Sequence, residues 1–126
     1  NQNDFWKVAI TNPSDASQYY AVVSVKDKCV VTSGNYERFF IKDGVRYHHI
    51  LDPYTGYPAN KNIAGVTIIG DNSAICDALS TGCFVLGKDE AIRLINSLDG
   101  YECIIIDEDG NHYLSENVMD YKLELK

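Results

Sequence analysis

Short runs of β-branched and aromatic residues alternate with polar turns over the first half of the chain. Three such runs lie at residues 5–10, 19–25 and 29–33, and two more flank the Lys-Asp-Gly turn at 42–44. Asp-Gly between alternating runs is the strongest short-range signal for a β-hairpin. A further run at 63–70 is apolar throughout, which predicts a strand that is buried on both faces. The pattern therefore predicts mainly antiparallel pairing that ends in a buried strand.

Two helices are predicted after this buried strand. The first, at 71–87, begins with polar residues that can cap its N-terminus and stops at Gly87. The second, at 88–100, carries acids in its first turn, has one apolar face and stops at Gly100. The N-cap candidates of the first helix are Asp71, Asn72 and Ser73.

The end of the chain again reads as β-structure. Residues 101–107 and 112–114 flank an Asp-Gly turn and predict a second hairpin, and the alternating tail 118–126 predicts an edge strand. The predicted fold class is α+β: a largely antiparallel sheet with two helices inserted late in the chain. The length of 126 residues suits one domain over 1–126, with enough residues to bury a core.

The charge balance is acidic and excludes one class of partner. With 18 Asp and Glu against 11 Lys and Arg, the net charge is -7, so the chain lacks the basic face that nucleic acid requires. An acidic protein that binds a small phosphate ligand needs a metal ion or an array of backbone N–H groups to offset the repulsion. No apolar run approaches the ~20 residues that span a bilayer, and residues 1–8 do not resemble a signal peptide.

The four cysteines show no zinc-finger spacing. Cys76 and Cys83 are seven positions apart on one predicted helix, about 10 Å along its axis, and cannot bridge each other. All four lie among apolar residues, which favours buried free thiols over a disulfide framework or a metal site. The four residues are Cys29, Cys76, Cys83 and Cys103.

The first predicted helix presents a carboxylate and a hydroxyl four residues apart. Asp77 and Thr81 lie about 200° round the helix from its predicted core stripe, and residues 71–87 include no Lys or Arg. The predicted core stripe consists of Ile75, Leu79 and Cys83. The residues predicted to share the side of Asp77 are Ala74, Ala78 and Phe84, which suggests an apolar, packed face.

A carboxylate on such a face is costly unless a cation meets it, and no basic residue of the helix can do so. Asp77 with Thr81 offers hard oxygen ligands, which suit Mg²⁺ and leave room for water and phosphate in its shell. A plain solvent-exposed face, or a buried Asp that caps a loop, explains the same pattern. The helix alone leaves these alternatives open.

Two further polar clusters precede the helix. In "RYHHILDPYTGYP" at 46–58, alternation places His48 and His49 on opposite faces of a strand, and the Pro-Gly turn that follows explains Asp52 and Thr55 as backbone-bonding groups. A histidine beside this turn fits a catalytic and a structural role equally well. In "TSGNYER" at 32–38, a strand that ends in Ser-Gly either cradles an anion with its N–H groups or simply turns.

These clusters, in this order and spacing, resemble one family. "VVTSGNYERFFIKDGVRYHHILDPYTGYP" followed by "DALST" is similar to the C-terminal half of the ApbE family, the FAD:protein FMN transferases. The opening "FWKVAITNPSD" also resembles the segment just upstream in that family. The resemblance covers almost the whole chain.

The resemblance implies an enzyme that cleaves the pyrophosphate of FAD and attaches FMN through a phosphoester to a Thr or Ser of an acceptor protein, with Mg²⁺ assisting. It places Asp77 and Thr81 at the metal-ligand positions and His49 at the position of the catalytic base. The positions that line the FAD site are Ser33, Gly34, His49, Asp52, Thr55, Gly56 and Pro58.

Members of the family are more than twice as long as this chain, so the chain looks like a truncated C-terminal domain without the N-terminal half. We expect weak FAD affinity and little or no transfer activity from it alone. The resemblance also implies an extracytoplasmic location, with membrane contact only through a lipid anchor of the full-length protein and no anchor in this chain. The alternatives are an FAD-binding module, an FAD pyrophosphatase without transfer activity, and a structural domain without retained function.

Overall fold

A computed structural model describes residues 6–13, 15–34, 39–42, 45–48 and 62–126, with 39–42 and 45–48 described by their backbone. Six strands come first: β1 Trp6–Asn12, β2 Asp15–Val25, β3 Cys29–Gly34, β4 Phe39–Lys42, β5 Val45–His48 and β6 Ile63–Gly70. Two helices follow, α1 Ser73–Leu86 and α2 Lys88–Asn96. The remaining elements are β7 Glu102–Asp107, β8 His112–Leu114, a 3₁₀ turn at Val118–Tyr121 and β9 Glu124–Leu125.

The strands pair antiparallel in three sheets. The strand orders are β1-β2-β9, β3-β6-β7-β8 and β4-β5. The β4-β5 hairpin pairs across the predicted Asp-Gly turn, with Lys42 opposite Val45. The predicted α+β class, with antiparallel pairing and two helices late in the chain, is confirmed.

The four-stranded sheet forms the middle layer of the described fold. All eight residues of β6 and all six of β7 are buried, because the helices cover one face and the β1-β2-β9 sheet covers the other. Alternation along β7 divides its side chains between the layers: Cys103 and Ile105 join the core under the helices, whereas Ile104 and Ile106 join the core under β1 and β2. The predicted burial of 63–70 on both faces is therefore confirmed.

The helix boundaries follow their capping residues. Of the three predicted N-cap residues, Asn72 caps α1, and its side chain accepts a hydrogen bond from the Ile75 backbone N–H at 3.0 Å. Gly87 ends α1 at a φ of 90°, which favours glycine, and α2 begins at the next residue. In the part of the chain that the structure describes, no helix has the length and apolar character needed to cross a membrane.

The tail differs from the prediction of one alternating edge strand. Residues 118–121 form a 3₁₀ turn, and only Glu124–Leu125 pair, on the edge of β2. Lys122 has a φ of 54°, in the left-handed region, so it ends the turn and reverses the backbone before β9. The second helix also stops earlier than predicted, at Asn96.

The four cysteines are free thiols, as predicted. Cys76, Cys83 and Cys103 are buried, and Cys29 is half-buried. Burial raises the pKa of Cys83 to about 11 and, with a smaller contribution from Cys83, that of Cys103 to about 12. These two thiols are therefore unreactive at neutral pH. The assignment of 1–126 to one domain stays a prediction.

Candidate functional site

Four of the predicted site residues lie on two neighbouring elements. Ser33 and Gly34 end β3, and Asp77 and Thr81 lie in the middle of α1. The other predicted residues fall outside the described ranges, and their roles stay predictions. They are His49, Asp52, Thr55, Gly56 and Pro58.

A chain of two hydrogen bonds joins β3 to α1 at this point. The hydroxyls of Ser33 and Ser80 are 2.7 Å apart, and Ser80 donates to the backbone carbonyl of Asp77 at 2.9 Å. Because a carbonyl can only accept, the Ser80 proton goes to Asp77 and Ser33 must be the donor to Ser80. The end of β3 is thus held beside the turn of α1 that carries Asp77 and Thr81.

Ser80 belongs to the site's framework, although the sequence pattern does not identify it. It is fully buried, in a face of α1 that otherwise consists of apolar groups. Its signal was present in "DALST", where a lone serine lies between leucine and threonine. The DALST motif therefore contains Ser80, the residue that connects α1 to β3.

The predicted core stripe of α1 is wrong in part. The buried residues of the helix are Cys76, Ser80, Cys83 and Phe84. Ile75 is 45% exposed, and Phe84 lies in the core instead of beside Asp77. Of the predicted stripe, Cys83 is buried, and Leu79 is half-buried and packs against the core.

As a result, Asp77 and Thr81 lie on an exposed face together with Ala74 and Ala78. The argument that a packed apolar face makes the carboxylate costly is therefore wrong. What remains is that α1 itself carries no basic residue, and that none of the ion pairs formed between described residues includes Asp77.

The carboxylate of Asp77 and the hydroxyl of Thr81 suit Mg²⁺ better than a cation that is coordinated entirely by protein atoms. Carboxylate and hydroxyl oxygens are hard ligands, and Mg²⁺ usually takes one or two of them and completes its shell with water and phosphate. Among the described residues no group of three His, Cys, Asp or Glu side chains could hold a metal. A metal at Asp77 and Thr81 would thus depend on ligands from a substrate, from water or from other parts of the protein.

The backbone beside Ser33 is unusually bare. Gly34 is buried and pairs directly with Gly65 of β6, so two residues without side chains face each other across the sheet. β3 ends at Gly34, and β6 begins at Ile63, two residues before Gly65. Ser33 and Gly34 thus lie beside Val66 and Gly65, near the start of β6.

Two described carboxylates have a clearly lowered pKa, Asp15 and Asp107, and of these only Asp107 is buried. Asp107 is 5% exposed, in the turn between β7 and β8. Burial acts to raise its pKa, but hydrogen bonds from the backbone of Asn111, the hydroxyl of Tyr113, the side chain of Asn111 and the backbone of Asp109 lower it below the ordinary value. All of its partners belong to its own hairpin, so we interpret it as a structural group.

Comparison with known proteins identifies the family. The model of the ApbE family matches residues 1–105, and the chain belongs to that family. It is 46% identical over 116 residues to a protein of Treponema pallidum named FAD:protein FMN transferase, which covers 91% of this chain and 32% of that protein. A protein of the same name from Vibrio cholerae is 33% identical over 115 residues, 89% of this chain and 34% of its own length.

Solved structures give the same result. The crystal structure of the ApbE protein from Thermotoga maritima matches 93% of this chain with a TM-score of 0.83 and 40% identity, over 38% of its own length. The flavin transferase ApbE from Vibrio cholerae matches 92% with a TM-score of 0.75 and 30% identity, over 37% of its own length. The chain thus spans about a third of the length of these relatives.

Proposed function

We propose that this chain provides part of the active site of a magnesium-dependent FAD:protein FMN transferase, which attaches FMN to a Thr or Ser hydroxyl of an acceptor protein. The observation that carries the proposal is the bond chain from Ser33 through Ser80 to Asp77. It joins the strand predicted to line FAD to the helix predicted to hold the metal. Membership of a family with curated members named for this activity supports the same reaction.

In this proposal Asp77 and Thr81 bind Mg²⁺, which supplies charge neutralisation on the diphosphate of FAD. Ser33 and the bare backbone at Gly34 lie next to the diphosphate. Their small size lets the ligand approach the sheet edge closely. An acidic chain needs this arrangement, because without a cation its net charge of -7 would repel the substrate.

We assign the proton transfer to His49. The attacking Thr or Ser hydroxyl has to lose its proton as the new phosphoester bond forms, and the bond to AMP breaks. Neutral histidine is suited to accept that proton near pH 7. The remaining proposed FAD contacts are Asp52, Thr55, Gly56 and Pro58.

A chimera tests the proposal directly. This chain replaces the matching third of the Treponema pallidum relative, to which it is 46% identical. We expect the chimera to attach FMN to a threonine-containing acceptor, with release of AMP, only when Mg²⁺ is present. Asp77→Ala should lower the rate by at least about two orders of magnitude, since the metal contributes several kcal/mol of charge stabilisation. Flavin fluorescence of the acceptor and AMP release measure the two products.

The matched control is Asp89→Ala, which removes another exposed acid, on α2 instead of α1. It should leave both the rate and the Mg²⁺ dependence unchanged. Full activity of the Asp77→Ala chimera would contradict the metal assignment. Release of AMP without flavin on the acceptor would instead identify a pyrophosphatase, and a chimera that melts like the parent but releases no AMP would contradict the catalytic assignment as a whole.

A further inference from the structure

Two of the four thiols lie at the same point of the fold, where β6 passes into α1. Cys29 is the first residue of β3 and pairs across the sheet with Gly70, the last residue of β6. Cys76 lies in the first turn of α1, and its backbone N–H donates to Asn72 at 2.9 Å. The two residues are far apart in sequence, but both lie beside Gly70.

Gly70 is a neighbour of both thiols. A Cβ atom added at Gly70 would lie 3.0 Å from the sulfur of Cys76. Directly paired residues of an antiparallel sheet have Cβ atoms on one face, about 4.5–5.5 Å apart. Cys29 therefore projects on the face of the sheet where the sulfur of Cys76 lies, and both residues pack in the core under the helices.

A second contact fixes the position of the Cys29 sulfur. Its thiol donates to the backbone carbonyl of Asp71, the residue after Gly70, at 3.9 Å. The adjacent Lys28 forms an ion pair with the side chain of Asp71. The start of β3 is thus held against the short connection that leads into α1, and both thiols lie in the core beside Gly70, where the ring of Tyr101 also packs.

The surroundings favour redox chemistry over metal binding. No group of three metal-binding side chains occurs among the described residues, so this pair lacks the third ligand that a metal site would need. Cys29 is half-buried, whereas Cys76 is buried. Burial, followed by the neighbouring Cys29, raises the pKa of Cys76. An oxidant from solvent therefore reaches Cys29 first.

We propose that Cys29 and Cys76 form a reversible disulfide when the protein meets a small-molecule disulfide such as oxidised glutathione. The Cys29 thiolate attacks the oxidant, forms a mixed disulfide and releases one glutathione thiol. The Cys76 thiolate then attacks the Cys29 sulfur and releases the second. The protein loses two hydrogens and gains one S–S bond, and the oxidant is reduced to two thiols.

The bond would tie the start of β3 to the first turn of α1, the elements that also carry Ser33 and Ser80. It would close a chain loop that contains residues 46–58. Closure of a long loop restricts the unfolded chain and stabilises the folded one. The inference uses only the register, the sulfur positions and the burial, so it does not rest on the proposed function.

The test is oxidation of the folded chain with oxidised glutathione, followed by thiol counting and peptide mapping. We expect two of the four thiols to be lost, no glutathione to be retained, and one linked peptide that joins Cys29 to Cys76. Cys83 and Cys103 should stay reduced in the same sample, as an internal control, because both are buried and cannot meet the oxidant, whereas the half-buried Cys29 can. Reduction should restore all four thiols.

Variants separate the steps. Cys29→Ser should lose no thiol, whereas Cys76→Ala should retain one glutathione on Cys29, because the second attack is missing. If Cys76→Ala does not fold, Cys29→Ser and the peptide map of the unmodified sequence still decide the question. Retention of glutathione on Cys29 in the unmodified sequence, a link between Cys83 and Cys103, or no loss of thiols would each overturn the proposal.

Discussion

Asp107 organises the turn between β7 and β8 through four hydrogen bonds to one carboxylate. The backbone N–H groups of Asp109 and Asn111 donate at 2.9 Å each, the Tyr113 hydroxyl at 2.9 Å and the Asn111 side chain at 3.2 Å. An aspartate that satisfies the donors of the chain after it is typical of an Asx turn. The turn of the predicted hairpin thus depends on Asp107 as much as on Gly110.

We expect Asp107→Asn to destabilise the fold by about 1–3 kcal/mol, because hydrogen bonds to a charged acceptor are replaced by weaker ones. The effect should depend on pH. The folded-state pKa of Asp107 lies below its ordinary value of 3.8, so its stabilisation is fully present above the unfolded-state pKa. It is lost as the pH falls through the folded-state pKa. Urea unfolding from pH 7 down to pH 3 measures the difference.

Asp109→Asn is the control for this prediction. Asp109 lies in the same turn and is exposed, and its carboxylate takes no part in the bonds to Asp107, which it meets through its backbone N–H. Its replacement should change stability little at any pH. If both variants lose the same stability, and the loss does not shrink in acid, the carboxylate of Asp107 is not the organising group.

Gly70 and Gly82 allow a second comparison of single residues. A Cβ at Gly70 would overlap the ring of Tyr101 and lie 3.0 Å from the sulfur of Cys76, whereas nothing lies within 4 Å of one at Gly82. We expect Gly70→Ala to cost about 1–3 kcal/mol through overpacking. Gly82→Ala, inside α1, should instead stabilise by roughly 0.5–1 kcal/mol. Thermal unfolding of both variants checks the opposite signs, and equal effects would contradict the packing described here.

Sequence patterns predicted some residue roles and could not predict others. Asn72 was predictable as a cap, because capping requires only a local side chain and a nearby backbone N–H. The burial of Ser80 was not, because a serine in a helix gives no sign of which tertiary partner its hydroxyl will meet. The exposure of Asp77 was one of two alternatives that the sequence left open, since it depends on which face of α1 contacts the sheet.

At the level of elements, boundaries set by local chemistry were predicted well. The strand at 63–70 and the helix that starts after Asn72 agree with the structure. The tail did not agree, because its conformation depends on a left-handed residue, Lys122, and on two residue pairs with β2, which lies about a hundred residues earlier in the chain. Alternation alone cannot show whether such a distant partner is present.

The contact between β3 and α1 predicts a measurable coupling. We expect Ser33→Ala and Ser80→Ala each to lose about 1 kcal/mol of stability, and the double variant to lose less than their sum by roughly 0.5–1.5 kcal/mol. The reason is that the Ser33 hydroxyl donates only to Ser80 in the described bonds that join the two elements. Chemical unfolding of the three variants provides the cycle.

Thr32 offers the matched control for this cycle. Its hydroxyl lies 2.9 Å from that of Thr67, within the sheet and away from the helix. Ser80→Ala combined with Thr32→Val should therefore be additive. Strict additivity for Ser33 and Ser80 as well would mean that the two elements are held together by apolar packing alone.

At the scale of the molecule, the sequence indicated the class of fold but not its layers. The apolar character of 63–70 correctly implied cover on both faces. It could not show that the helices would supply one cover and the β1-β2-β9 sheet the other, because that arrangement depends on long-range pairings such as those of β3 with β6. The ApbE motifs supplied the family, and the described part of the site adds Ser80 to it.

The junction at Gly87 has a mechanical consequence. Its backbone N–H donates to the carbonyl of Cys83 in α1 at 3.2 Å, and its carbonyl accepts from the N–H of Ala91 in α2 at 2.9 Å. No flexible linker therefore separates the two helices. If binding of a ligand at the exposed face of α1 tilted this helix, the tilt would also move α2, whose inner side chains Ala91 and Ile95 are fully buried. Binding of a metal ion at Asp77 would then change the environment at the far end of α2, so a spectroscopic probe placed there would report the binding.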